Sequence, residues 1–224
     1  MDFQHRSDAA ESPARPAAAD AEAAASRRAR RESGLICTAA LICAAAGILG
    51  LFTTAVRSIE DNYHDYLIGL ARAAATLVDP GLHQAIHHPD QKNGPLYNQT
   101  VEAPRRLRRA VPEIHYVYTV VRDGPLVRFV LDAADPAART PSGLLEQAGV
   151  WQVYKDVDVA MSTALGDEDH PATVAATSDP MADDWGSFMS GLAPLRDASG
   201  HVYGAIGVDV DASVYLERMA GARR

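Results

Sequence analysis

The chain has 224 residues, 47% of them apolar and 22% charged, with a formal net charge of -8. Six acidic and six basic side chains balance within residues 1–33, so the negative excess belongs to the part beyond Val56. Nucleic acid, a polyanion, is thereby excluded as a partner of that part, which is long enough for one compact domain with its own core.

Residues 1–33 are rich in Ala, Ser, Pro and Arg and lack an apolar period; they read as a disordered cytoplasmic tail. Arg27, Arg28, Arg30 and Arg31 then precede an uncharged run, Gly34 to Val56, after which Arg57 is soon followed by Glu60 and Asp61. As a helix rising about 1.5 Å per residue, the run covers roughly 35 Å, enough for a hydrocarbon core of about 30 Å. Basic residues gather on the cytoplasmic side of membrane helices. The expectation is a single-pass protein of the bacterial inner membrane, with residues 1–33 inside, residues 34–56 in the membrane and residues 57–224 in the periplasm or outside the cell. A cleaved signal peptide would have a shorter apolar core and a small-residue cleavage site, which Thr54-Ala55 does not supply well. A buried soluble helix would not be apolar all round between arginines. Gly47 and Gly50 form a small-residue patch that permits close helix approach, although alanine-rich composition explains it equally. Cys37 and Cys43 lie on different faces of the run and do not pair, and the outer part has no cysteine.

Phe52, Val56, Ile59, Tyr63, Tyr66, Leu70, Ala73 and Leu77 alternate in steps of four and three, a heptad seam leaving the membrane. Two readings are open: the stripe packs on the protein's own sheet, or part of residues 52–77 forms a homodimer stalk. Asp79-Pro80-Gly81 stops the helix. A short helix is expected around Leu82 to His88, a turn at Asn93-Gly94-Pro95, and a helix within Val101 to Ala110 with Pro104 in its first turn. Residues 114–121 and 126–132 read as strands joined by Arg122-Asp123-Gly124. Residues 187–195 and 202–210 read as a second hairpin, and Asp211-Ala212-Ser213 caps a final helix. Between the hairpins, residues 151–165 read as helical and 173–177 as a further strand. Two hairpins with separate helices define an α+β domain on an antiparallel sheet.

Three segments carry a resemblance: LARAAATLVDPGLHQAI (70–86), HYVYTVVRDGPLVRFVLDA (115–133) and DDWGSFMSGLAPLRDASGHVYGAIGVDVDA (183–212). In order and spacing they resemble the extracytoplasmic PAS-like, Cache-type sensor domains of bacterial histidine kinases, diguanylate cyclases and chemotaxis receptors, across about residues 57–220. The resemblance implies a long membrane-proximal helix packed on a PAS/Cache-like antiparallel sheet and a pocket for a small ligand. Strand alternation puts Tyr116 and Tyr118 on one face of the first hairpin, and Arg128 and Asp132 on one face of the return strand with Val130 between them; the roles that follow are what the resemblance implies. Arg128 would take a carboxylate in its fork. Asp132 or Asp209 would accept from an ammonium group, and Trp185 would wall the pocket beside Gly186. The alternative for the aromatic residues is core packing, and for Arg128 solvent. Such receptors continue into a second membrane helix and an output domain, whereas this sequence ends at Arg224. The expectation is an input module without its own output domain, or a piece of a receptor.

Other clusters read as structural. His83 and His87 are four apart with His88 adjacent, but no HExxH pattern or third ligand accompanies them, so they read as polar surface. Residues 167–170 (Asp-Glu-Asp-His) lack the ligand spacing of a calcium loop and read as a solvated acidic loop. Arg105, Arg106, Arg108 and Arg109 form a basic helix face, solvated or set against lipid headgroups. No GxSxG elbow, P-loop or catalytic cysteine outside the membrane occurs, and Ser187 and Ser190 lack a nucleophile context. The chain reads as a non-enzymatic sensor without metal or cofactor, its ligand a small carboxylate or amine, acting with a signalling partner. The alternative is a membrane-tethered interaction domain that partners a receptor or envelope component without a small ligand.

Overall fold

The structure, a computed structural model, describes residues 14–222. It divides into two units, residues 1–54 and 55–224. In the first unit the described chain is helical throughout, as part of α1 (Ala14–Ala75). Residues 14–33, expected as disordered, are therefore helical, in keeping with the high helix propensity of their alanines and arginines; residues 1–13 lie outside the described residues. The large apolar side chains from Leu35 to Leu51 are exposed. Within Asp20–Ala75 a stretch of mean hydropathy 2.4 makes α1 the one helix among the described residues long and apolar enough to cross a membrane.

The second unit continues with α2 (Pro80–Gln84), α3 (Pro95–Ala110), β1 (Ile114–Asp123), β2 (Leu126–Asp132), β3 (Val153–Tyr154) and α4 (Val159–Leu165). It ends with β4 (Ala175–Ala176), β5 (Met181–Ala182), β6 (Ser187–Arg196), β7 (Val202–Asp211) and α5 (Ala212–Ala222). All seven strands join one antiparallel sheet in the order β3-β2-β1-β7-β6-β4, with β5 also on β6. The fold is thus α+β, a long helix packed on an antiparallel sheet. Both expected hairpins form, β1–β2 through Gly124 at φ 56° and β6–β7 through Gly200 at φ 86°, left-handed conformations that glycine adopts at little cost. The first and last long strands, β1 and β7, pair at the centre.

The sheet is covered on both faces. On one, Ala71 and Ala74 of α1, Ile86, and Tyr97 and Val101 of α3 pack on Val117, Ala193, Ile206 and Val208. On the other, Met161 and Leu165 of α4 pack with Tyr116, Tyr118, Phe129, Phe188 and Leu192. A third cluster joins Tyr63 and Leu67 of α1 to Met189, Val210, and Tyr215 and Met219 of α5. Burying a side chain of the size of Leu67 or Ile206 contributes on the order of 1.5–3 kcal/mol.

Four local expectations are corrected. The buried stripe of α1 and its exit is Tyr63, Leu67, Ala71, Ala74 and Val78, whereas Phe52, Ala73 and Leu77 of the expected seam are exposed. A straight helix turns every 3.6 residues and drifts away from a 3.5-residue seam. Helix α3 starts at Pro95 rather than near Val101, so Pro104 is interior rather than in the first turn. Pro95 itself takes the N-terminal place where a missing N–H costs nothing. His83 is not polar surface: it is 1% exposed, its Nε2 lies 2.7 Å from Thr119 Oγ1 under the sheet, and His87 and His88 alone face solvent. Burial lowers the His83 pKa to about 4. Residues 151–165, expected as one helix, form β3 and the short α4, which begins where Asp158 accepts from the Met161 N–H at 2.7 Å.

Candidate functional site

On the sheet face opposite α1 two narrow cavities adjoin, with Tyr118, Tyr154 and Asp183 as shared walls. Asp158, Ser190 and Leu192 help line one, and Phe129, Asp132 and Trp185 help line the other. Each has a volume of about 20 Å³, room for about one water molecule.

A β-bulge decides which side chains reach this face. Tyr118 pairs with Asp132 and Val120 with Phe129, so one extra residue sits in β2 between them. An extra residue reverses the alternation beyond it. Asp132 therefore joins Tyr118 and Phe129 at the cavity, while Arg128 and Val130 belong to the opposite side. The expectation that Arg128 and Asp132 share a face is overturned by this bulge. Arg128 pairs with Asp123 at the hairpin and donates to the Trp151 carbonyl at 3.0 Å, and it lines neither cavity.

Asp132 is held by backbone. Its Oδ1 accepts from Ala134 N–H and its Oδ2 from Ala148 N–H, both at 2.8 Å, and Tyr97 Oη bonds its main-chain N–H and carbonyl at 3.0 Å each. It thus ties down residues 133–148. Burial raises its pKa to about 6, against the lowering effect of those two N–H groups.

Asp209 differs. It pairs in register with Tyr116 of β1, which lines one cavity, and with Ser190 of β7's other neighbour, β6, which lines the other, while lining neither itself. It is 5% exposed, and its Oδ1 has no hydrogen-bond partner among the described residues. Burial pushes its carboxyl up to about 8; the Ser190 hydroxyl opposes this, and the charges of Asp183, Asp132 and Asp158 add to it.

The walls are aromatic. Tyr118 and Tyr154 stack at 6.0 Å, and Phe129 meets Tyr118, Tyr154 and Trp185 edge-on at 5.5, 5.1 and 5.9 Å. Trp185 Nε1 donates to the Leu145 carbonyl at 3.0 Å, and Asp183 Oδ1 accepts from the N–H groups of Trp185 and Gly186. The Tyr118 ring lies against Gly207, where a Cβ would come within 2.5 Å of it. Burial holds the Tyr118 hydroxyl well above its usual pKa.

Of the residues expected from the sequence, Tyr116, Tyr118, Asp132 and Trp185 line one cavity, Asp209 lies beneath, and Arg128 is elsewhere. Sequence reasoning missed Phe129, Tyr154, Asp158, Asp183 and Ser190. Most belong to the segment without periodicity, and Ser190 carries no sequence signal beyond a serine that lacks a nucleophile context. Among the described residues no group of three or more His, Cys, Asp or Glu is placed to hold a metal ion.

The same strand that floors one cavity meets α1. Ser190 and Leu192 line the cavity, and Gly191 between them faces the other way, where a Cβ would lie 2.2 Å from the Leu67 carbonyl oxygen.

No protein-family model and no curated protein matches the chain. Among solved structures it is similar to the ligand-binding domain of the Campylobacter jejuni chemoreceptor Tlp3 in complex with L-valine. The TM-score is 0.46 at 14% identity, over 76% of this chain and 61% of that one. It is also similar to the E. coli DcuS sensor domain, with TM-score 0.45 and 10% identity over 73% of this chain and 98% of that one. For the periplasmic sensory domain of the Campylobacter jejuni chemoreceptor Tlp1 the TM-score is 0.40 at 14% identity, over 75% and 59%. The chain spans about three fifths of the length of the Tlp3 domain.

Proposed function

We propose that the chain is a membrane-anchored extracytoplasmic sensor: a small ligand enters the aromatic pocket, and the sheet passes the change to α1. The observation that carries this reading is β6, whose Ser190 and Leu192 line the cavity while Gly191 rests on the Leu67 carbonyl. A ligand that separates the cavity walls moves the strand on which the helix is seated. Such a shift needs different ligand affinities in two arrangements. The cavities hold about one water each, so binding requires the outer wall, at residues 156–158 and 181–185, to move outward. In this reading Tyr116, Tyr118, Asp132, Trp185 and Asp209 serve the pocket. Residues 34–56 cross the bacterial inner membrane once, with the arginines before them inside and the second unit in the periplasm. Exposed Phe52, Ala73 and Leu77 leave the helix at 52–77 able to meet a second copy, and a signalling partner would receive the output.

The small cavity volume favours a second reading, in which the domain binds a receptor or envelope protein and no small ligand. A thermal-shift screen of the full chain in detergent against amines, amino acids and small carboxylates separates the two. The sensor reading expects a rise in melting temperature with a specific compound, by mass action; an unchanged melting temperature across the screen supports the interaction reading. Added protease that digests residues 57–224 in spheroplasts but spares the N-terminus tests the orientation.

A further inference from the structure

We infer that His83 is a positioning residue of this pocket: through Thr119 it holds the β2 bulge that turns Asp132 toward the cavity and Arg128 away from it. The inference rests on the pocket assignment made above and adds what decides which charge the pocket presents.

Three observations carry it. The first is the bond the bulge makes. Thr119 of β1 stands opposite both Val130 and Leu131, between the pairs Tyr118–Asp132 and Val120–Phe129. A bulge takes a residue out of the ladder. Here the Leu131 N–H donates to Thr119 Oγ1 at 3.0 Å. Val130 and Leu131 both pack in the core on the α1 side, which strict alternation forbids, and Asp132 emerges at the cavity.

The second is His83 itself. Its Nε2 lies 2.7 Å from the same Thr119 Oγ1, so the hydroxyl is fixed from two sides. A hydroxyl that accepts from Leu131 still has one proton to give, and a neutral imidazole nitrogen receives it. Burial keeps the ring neutral, with its pKa lowered to about 4. His83 Nδ1 has no hydrogen-bond partner among the described residues. As a filler of apolar space, an imidazole with an unpartnered nitrogen is costly. What it supplies, and a leucine would not, is the bond to Thr119.

The third is the consequence across the sheet. Asp132 Oδ1 and Oδ2 hold the N–H groups of Ala134 and Ala148 at 2.8 Å each, and so fix both ends of the segment 133–148. His83 belongs to α2, which begins at Pro80, shortly past the end of α1 at Ala75. The path from α2 through Thr119 and the bulge to Asp132 ties the end of α1 to that segment.

Site-resolved amide exchange of the full chain in detergent, with no ligand added, tests the inference independently of the thermal-shift screen. Thr119→Val keeps the shape and removes the hydroxyl, whereas His83→Leu keeps the hydroxyl and removes its support. Each should speed exchange at Leu131, Ala134 and Ala148 by roughly tenfold or more, while residues 189–195 of β6 keep the parent's protection. Thr119→Ser and His83→Gln retain a hydrogen-bonding group and should stay within about threefold of the parent. Acceleration confined to Leu131, or spread evenly over β6 as well, would make the contact ordinary core packing and overturn the inference. Parent-like exchange at Ala134 and Ala148 in His83→Leu would overturn it too, and this variant decides the matter if Thr119→Val does not fold.

Discussion

Gly191 of β6 lies against the main-chain carbonyl of Leu67 so closely that a methyl group there would sit 2.2 Å from the oxygen and 2.7 Å from the carbon. Neither atom belongs to a flexible side chain. Gly191→Ala must therefore lift α1 from the sheet or distort β6. Overpacking of this kind costs about 1–3 kcal/mol. Thermal denaturation should show the loss, and ligand-induced stabilisation should fall with it, because the coupled surfaces no longer fit. An unchanged melting temperature would mean that helix and strand are not in direct contact.

Gly207 has the corresponding role on the opposite face. A methyl group there meets the Tyr118 ring at 2.5 Å and its hydroxyl at 2.7 Å. The ring can move only into the cavities it lines. Gly207→Ala should abolish ligand binding in titration while the circular dichroism spectrum stays native. Adding Tyr118→Ala should reopen the space at a cost of a few kcal/mol in stability, roughly that of a large-to-small core change.

Arg128→Ala should leave ligand binding within twofold of the parent. Strict alternation along β2 implies the opposite, since it puts Arg128 beside Asp132. The partly exposed pair with Asp123 contributes only about 1 kcal/mol or less, so the melting temperature should drop slightly. A large loss of affinity would show that the bulge is absent in solution.

The pH dependence follows from Asp209, which faces Asp183, Asp132 and Asp158 and the hydroxyls of Ser190, Tyr118 and Tyr154. Its carboxyl releases its proton near pH 3.8 in the unfolded chain and only near about 8 when folded, chiefly through burial. Between these values the folded state binds more protons, so this group's contribution is full below the lower value and is lost as pH rises through the upper one. Melting curves from about pH 5 to about pH 9 should show the parent losing stability relative to Asp209→Asn as pH rises. Parallel curves would contradict the buried, proton-holding carboxyl.

Helices α1 and α5 share one joint. Arg218 of α5 bonds Glu113 at 2.6 Å, Tyr66 of α1 donates to the same carboxylate at 2.8 Å, and the guanidinium sits 5.4 Å and 5.7 Å over the rings of Tyr63 and Tyr66. The pair is partly exposed, so Arg218→Ala should lower stability by only about 1 kcal/mol. Amide exchange in residues 212–222 should nevertheless accelerate severalfold, and unaltered exchange would mean that the joint does not hold α5.

Much of the fold was legible because it is written in local signals. Gly124 and Gly200 mark the two hairpins, whereas Asp158, the cap of α4, lies inside a segment that reads as one helix. The strand order was not legible, since the central β1–β7 pairing joins distant segments through no local mark. In the site, Tyr116, Tyr118 and Trp185 followed from alternation and resemblance. Asp132 reached the right face only through a bulge that no residue in VRFVLD announces, and Tyr154 sits on a two-residue strand too short to carry a period. His83 looked like a surface polar residue because its partner, Thr119, is in another element.

Amide hydrogen exchange of the full chain in lipid nanodiscs, with and without a saturating amount of the compound that raises the melting temperature in the screen, tests the coupling most directly. Protection should change together at residues 187–192 of β6 and at residues 63–74 of α1, and Gly191→Ala should separate the two responses. Changes confined to the cavity walls, with α1 unaffected, would contradict a sensor that signals through its long helix.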